Sequence, residues 1–175
     1  MIREAIIKSY AMDKEVLDVG AVGQTGAYNL WDEIKPVAKE LVGIDIMSSG
    51  NEGVVQGDME TYSFGRKFDV IVLGDIIEHV NNQGLLLDNC HRHLKNDGIL
   101  VITTPNAKWP TVFMPTNRTH TLWHDKFTME TLLGRYGFKV KEFRYYFGNK
   151  RKYNFLQRIF TWKQSMLFVC GIEKG

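Results

Sequence analysis

The chain has 175 residues, 44% of them hydrophobic, and 22 Lys and Arg against 20 Asp and Glu give it a net charge of +2. That length suits one domain, 1–175, large enough to bury roughly 70% of the surface its unfolded chain exposes. The near-neutral balance excludes a polycation that holds its partners by bulk charge. Cys90 and Cys170 form no C-x-x-C pair and sit in apolar runs, which reads as buried thiols of a cytoplasmic protein rather than a disulfide framework.

The opening stretch MIREAIIKSYAMDKE carries charge on both sides of a short apolar run, a poor signal peptide. No apolar run approaches the roughly 20 residues that cross a bilayer. EVLDVG (15–20), LVGIDI (41–46), GVVQ (53–56), FDVIVLG (68–74) and GILVITT (98–104) are strand candidates. They are almost continuously apolar, as suits a parallel sheet covered on both faces. Helical patterns alternate with them. One follows Thr25 and is stopped by Pro36. A second runs from about Asn82 to Lys95, between an asparagine cap and an Asn96-Asp97-Gly98 turn. A third, 128–137, takes Thr128 as its N-cap, Thr131 as a weak capping-box partner and Gly137 as its stop. Residues 138–147 and 165–173 read as two late strands. The alternation predicts a doubly wound α/β sheet.

In such a sheet the ligand lies beyond the C-terminal ends of the strands, beside the first strand–helix turn. That turn is VLDVGAVGQTG, with Gly20, Gly23 and Gly26 spaced G-x-x-G-x-x-G. The spacing is not the dinucleotide fingerprint G-x-G-x-x-G. Asp18 precedes the turn and is placed to hold turn N–H groups or a ligand ammonium. Asp45, ending the second strand, is placed to accept ribose hydroxyls, and Asp58, after the third, an exocyclic adenine amine. Acids at these strand ends suit a cationic, ribose-bearing ligand better than a pyrophosphate.

The ordered run VLDVG…GIDI…GDME…FDVIVLGDIIEHV…LKNDGILVITTPN resembles the class I S-adenosylmethionine-dependent methyltransferases, in particular their type 11/type 23 group with E-H-V after strand four. The resemblance extends from Val16 to Val140. It implies a Rossmann-like seven-stranded sheet ordered 3-2-1-4-5-7-6 with the last strand antiparallel. The cofactor half would be about 1–104, with a substrate-side loop and late strands over 105–175. It also implies that Asp18 and Gly20 line the methionine end, Asp45 the ribose, and Asp58 with Met59 the adenine, with Gly23 a further cofactor-binding residue. Gly74 and Asp75 would lie beneath the sulfonium. The family turn is D-x-G-x-G-x-G, and here Val22 stands at a glycine place. Valine disfavours positive φ, so the turn must differ in detail, with Gly23 and Gly26 as sources of freedom.

GDIIEHV carries Asp75, Glu78 and His79. On a helical turn starting at Asp75 these side chains share one face, next to the methyl donor. His79 can serve as general base toward a hydroxyl nucleophile, with Glu78 beside it. Carboxylates plus imidazole also suit Mg²⁺ or Mn²⁺. The pattern resembles the E-x-x-E-H metal site of small-RNA 2′-O-methyltransferases and some quinone-biosynthesis O-methyltransferases. Asp75, Glu78 and His79 would then be ligands, and of His120 and His124 the latter is the better match for a further histidine. His91 and His93 read as structural.

A long segment, 105–127, carries Trp109, Phe113, Met114 and Trp123, which can wall an aromatic or lipid-like acceptor or pin the loop to the sheet. From Phe143 to Ile172 there is no acidic residue, while Arg144, Lys150, Arg151, Lys152, Arg158 and Lys163 are cationic. NKRKYNFLQRIFTW (149–162) reads as a basic amphipathic helix, compatible with a lid, an anionic membrane surface or nucleic acid through 144–163. Methyl transfer to an oxygen of a small molecule is the leading expectation. Metal-assisted RNA 2′-O-methylation and a non-catalytic cofactor-fold binding protein are its alternatives.

Overall fold

The computed structural model describes residues 2–22, 29–109, 119–147 and 163–173. Gly23, Gln24, Thr25, Gly26, Phe113, Met114 and the stretch 149–162 fall outside these residues.

The strands are β1 (Glu15–Val19), β2 (Glu40–Asp45), β3 (Val54–Gln56), β4 (Phe68–Gly74), β5 (Leu94–Pro105), β6 (Phe138–Tyr146) and β7 (Ser165–Ile172). They form one seven-stranded sheet in the order β3-β2-β1-β4-β5-β7-β6. β3, β2, β1, β4 and β5 pair in parallel. β7 enters between β5 and β6, antiparallel to both. The expected order and the antiparallel late strand are both present.

Alternate residues of each strand feed two cores, which is why the strands are apolar on both faces. Leu17, Ile71, Leu73, Leu100, Ile102 and Phe168 pack beneath α3 (Gln83–His93) and α4 (Lys126–Arg135). Val16, Val70, Val72, Val101 and Val169 pack beneath α1 (Ile2–Ala11) and α2 (Leu30–Ile34). Cys90 and Cys170 are buried free thiols. No helix among the described residues is long and apolar enough to cross a membrane.

Several expectations are corrected. α1 lies in the stretch read above only for targeting; its Ile7 and Ala11 are fully buried against the sheet. The Asn96-Asp97-Gly98 turn lies inside β5, where the register jumps from Phe68↔Leu94 to Val70↔Ile99. It is a bulge, held by Lys95 Nζ at 2.9 Å from Asp69 and 3.0 Å from Glu15. α2 is short and starts from Asn29, whose side chain accepts the Trp31 N–H. α4 is capped by Asp125, not Thr128: the Asp125 carboxylate accepts the Thr128 N–H at 2.8 Å and Thr128 closes a capping box. The aspartate wins because it accepts with a full charge at the helix N-terminus. Thr131 Oγ1 donates instead to the Phe127 carbonyl.

Candidate active site

The site is assembled at the C-terminal edge of the parallel strands. After Val19 the chain turns at Gly20, whose φ is +82°. A Cβ there would overlap Ile76. Among the described residues of the turn, the left-handed one is therefore Gly20. Among the described residues only Asp13 and Asp75 carry a positive φ without being glycine, so Val22 needs no forbidden conformation. Its N–H donates to Asp45 Oδ2 at 3.0 Å, and Met47 N–H donates to Oδ1 at 2.9 Å. Asp45 thus links the first turn to the end of β2, and each oxygen keeps a lone pair for another donor.

Asp18 is 2% exposed, and burial pushes its carboxyl up to about 7, against the pull of Arg3. Asp58 is exposed and closes a small turn by accepting the Glu60 N–H at 2.8 Å. Met59 is only 4% exposed and packs in the core, where its carbonyl accepts from Asn89 Nδ2 at 2.8 Å.

β4 ends at Gly74, where a Cβ would stand 3.0 Å from Arg3 Nη2. The missing side chain lets α1 bring its guanidinium over the strand end. Asp75 has φ +57°, a region that a short acid tolerates better than most residues. Its N–H donates to the Thr103 carbonyl and Oγ1, both at 3.1 Å, and Thr103 Oγ1 donates back to Asp75 Oδ1 at 3.0 Å. Arg3 Nη1 lies 3.0 Å from Asp75 Oδ2, and Tyr146 Oη 3.5 Å from Oδ1. No helix begins at Asp75. Residues 76–79 form a turn closed by His79 N–H to the Ile76 carbonyl at 2.8 Å, so the shared helical face expected for Asp75, Glu78 and His79 is absent.

Glu78 is 2% exposed. Its Oε2 accepts from Thr104 Oγ1 at 3.0 Å, and its buried Oε1 has no hydrogen-bond partner among the described residues. Burial, reinforced by the Asp75 charge, pushes Glu78 up to about 8. His79 Nδ1 lies 3.1 Å from the Thr119 carbonyl. A carbonyl only accepts, so Nδ1 carries the proton and Nε2 keeps its lone pair. The His120 ring stands 4.6 Å from that of His79, and ligand atoms of Glu78, His79 and His120 lie within 4.8 Å of one another. Burial and His79 hold His120 below its usual range.

His124, the residue expected in this group, lies elsewhere. Its Nε2–H donates to Gln83 Oε1 at 2.9 Å, and its Nδ1 is buried with no partner among the described residues. Asp75 is likewise outside the Glu78–His79–His120 group. Of the expected acceptor wall, Trp109 is buried, while Trp123 is 37% exposed with its ring 4.9 Å from His120. Arg3 and Tyr146 are site residues that the sequence reading omitted. For Arg3 a signal existed: Ile2, Ile6 and Ile7 recur at helical spacing around an acid in the first turn. His93 is structural as expected, its ring nitrogens engaging the Asn89 carbonyl and the Phe64 N–H.

A family model described as "Methyltransferase domain" matches residues 6–142. A ubiquinone biosynthesis O-methyltransferase of Bradyrhizobium diazoefficiens is 25% identical over 107 residues, 54% of this chain and 41% of that protein. Its counterpart from Nitrobacter winogradskyi is 35% identical over 51 residues, 29% and 20% of the respective chains. The chain thus spans less than half the length of these curated relatives. Among solved structures, Burkholderia thailandensis 1,6-didemethyltoxoflavin-N1-methyltransferase, with its substrate and S-adenosylhomocysteine, superposes with TM-score 0.73 at 15% identity, covering 98% of this chain and 76% of that one. The N-methyltransferase NodS of Bradyrhizobium japonicum, in complex with S-adenosylhomocysteine, gives 0.71 at 14%, covering 99% and 87%. By its sequence match and its sheet, the chain belongs to the methyltransferase-domain family and has the class I fold of S-adenosylmethionine-dependent methyltransferases.

Proposed function

We propose that the protein transfers a methyl group from S-adenosylmethionine to an oxygen of a small-molecule acceptor. The observation that carries this reading is the charge of the cleft. The guanidinium of Arg3 pairs with Asp75 and acts on Asp18 and Glu78, and Asp45 stands at the next strand end. Burial holds protons on Asp18 and Glu78 toward neutral pH, and a ligand with ammonium and sulfonium charges is favoured there because its approach lets both acids ionise. Bound there, the cofactor supplies an electrophilic methyl. Arg3 is placed for the ligand carboxylate and Asp18 for its ammonium. Asp45, with a lone pair left on each oxygen, accepts the ribose hydroxyls, and exposed Asp58 accepts the adenine amine. Gly20 and Gly74 keep the floor free of side chains, and Met59 supports it from the core. His79 Nε2, with its lone pair, takes the acceptor proton, and Glu78 stands beside it. The main contribution to rate is alignment of acceptor and sulfonium with water excluded.

A second reading rests on Glu78, His79 and His120. A buried carboxylate oxygen with no hydrogen-bond partner among the described residues, an imidazole whose Nε2 keeps its lone pair and a second imidazole of lowered basicity form a donor set that fits a divalent ion such as Mg²⁺ or Mn²⁺. These residues would hold it, with His120 in the place first expected for His124, and the ion would acidify a bound acceptor hydroxyl. The ubiquinone-biosynthesis relatives support an oxygen acceptor on a small molecule over an RNA.

Calorimetric titration with S-adenosylmethionine and S-adenosylhomocysteine, with and without Mn²⁺, tests both readings. Micromolar binding of either ligand supports the cofactor reading. A Mn²⁺-dependent gain that disappears in His79→Ala and His120→Ala supports the metal reading. Folded protein that binds neither ligand refutes the proposal.

A further inference from the structure

We propose that Glu60 is a positioning residue that ties the cofactor-side loop to the acceptor-side turn, so that filling the cleft orders Glu78 and His79. This rests on the cofactor reading above. Glu60 is 8% exposed, and its Oε1 accepts two consecutive backbone N–H groups, Asn81 at 2.8 Å and Asn82 at 3.0 Å. Those amides lie between His79 and the first turn of α3, where Asn82 is the N-cap. A carboxylate at this point also gains from the helix dipole.

The other end of Glu60 belongs to the cofactor side. Its own N–H donates to Asp58 Oδ1 at 2.8 Å. The Thr61 and Tyr62 N–H groups donate to the Asp58 carbonyl at 3.0 and 2.8 Å, which makes 58–62 one closed loop. Asn89 Nδ2 fastens the loop to mid-α3 through the Met59 and Tyr62 carbonyls. Glu60 fastens it to the entry of that helix.

Beyond Glu60 the acceptor side is itself one unit. Thr121 donates through its N–H to the Glu78 carbonyl at 2.9 Å, and through Oγ1 to the Glu78 and Val80 carbonyls. His79 Nδ1–H donates to Thr119, and His124 donates to Gln83, which in turn donates to the Ile77 carbonyl at 2.8 Å. Residues 76–83 and 119–124 are therefore joined at several points, and Glu60 links that assembly to Asp58. A ligand that steadies Asp58 steadies the turn through two hydrogen bonds to one oxygen. A simple helix cap would hold the turn equally with and without ligand.

The test is hydrogen exchange of peptides covering 76–83, free and with S-adenosylhomocysteine, in wild type, Glu60→Gln and Glu60→Asp. Glutamine keeps the reach and an acceptor oxygen, whereas aspartate keeps the charge and loses one methylene of reach. Wild type and Glu60→Gln are expected to slow exchange about tenfold on binding. Glu60→Asp is expected to bind the ligand within about threefold of wild type, show no slowing, and lose about tenfold or more in kcat at unchanged cofactor KM. Glu60→Met, of similar length without an acceptor, replaces the aspartate variant if that one does not fold. Protection and kcat retained in Glu60→Asp would overturn the proposal, as would damage in Glu60→Gln equal to that in Glu60→Asp. If wild type does not bind the ligand, the cofactor reading fails separately. The tether is then still read in the free protein, where Glu60→Asp must exchange at Asn81 and Asn82 faster than Glu60→Gln.

Discussion

Replacing Asp18 by asparagine separates what this residue does for folding from what it does for the ligand. Burial raises its carboxyl from the ordinary 3.8 to about 7. Between those values the folded chain holds a proton that the unfolded chain releases, so stability falls as pH rises from roughly 4 to roughly 7 and the loss is complete above that. The full shift corresponds to about 4 kcal/mol of destabilisation at pH 8, an upper bound, since local relaxation and water entry reduce it. Asparagine has the same shape and does not titrate. Asp18→Asn is therefore expected to match wild type only below about pH 4, and to exceed it by about 1–2 kcal/mol at pH 5 and about 2–4 kcal/mol at pH 8. For a domain of this size that is on the order of 10 °C in Tm. Denaturant or thermal unfolding at pH 5, 6.5 and 8 without ligand measures it. The same variant should bind S-adenosylmethionine tenfold or more weakly, because a charged hydrogen-bond partner is lost. Parallel stability-against-pH curves for the two proteins would refute the reasoning, since Asp18 would then ionise in the fold without cost.

Arg3→Ala should weaken binding of S-adenosylmethionine by tenfold or more in calorimetry, because the guanidinium that pairs with Asp75 and acts on Asp18 and Glu78 is removed. With Glu78 raised to about 8, its charged form accumulates through that pH. The reaction is expected to show a rise in kcat/KM between pH 7 and 9 that is absent in Glu78→Gln. Gly20→Ala places a side chain at φ +82° and against Ile76. The expected loss is about 1–2 kcal/mol or more in denaturant unfolding. Asp125→Ala removes the α4 cap and should cost about 1 kcal/mol at pH 7. Neighbouring donors hold the Asp125 carboxyl down to about 2. The difference from wild type therefore stands above roughly pH 4 and shrinks as pH falls toward 2.

The parallel half of the sheet was legible because burial on both faces forces continuous apolar runs, and all seven expected strands are present, with β5 extending back to Leu94. The acids Asp18, Asp45 and Asp58, expected at the ends of the first three strands, stand there, and Asp45 and Asp58 accept backbone N–H groups. Spatial partners were not legible. Arg3 reaches Asp75 only because α1 lies across the end of β4 next to Gly74. Which of His120 and His124 meets His79 depends on how the loop 119–124 docks on the turn, and that docking is made by backbone carbonyls and Thr121, which leave no pattern in the sequence. The helical face assumed for Asp75, Glu78 and His79 failed because spacing does not reveal a left-handed residue. Among the described residues of the first turn, the unusual φ lies two residues before Val22, at Gly20.

The insertion of β7 between β5 and β6 also governs how the molecule can be made. Until residues 165–172 emerge from the ribosome, Leu94–Pro105 has an open edge on one side and Phe138–Tyr146 has no neighbour in the sheet. Both edges carry unpaired amides, the first beside aliphatic and the second beside aromatic side chains, features that invite pairing with other chains. The sheet closes in one late, long-range step, when the final strand completes ladders on both of its sides at once. Nascent chains stalled before Ser165 are therefore the species most exposed to aggregation, and folding speed should follow the arrival of β7 rather than assembly of the parallel half.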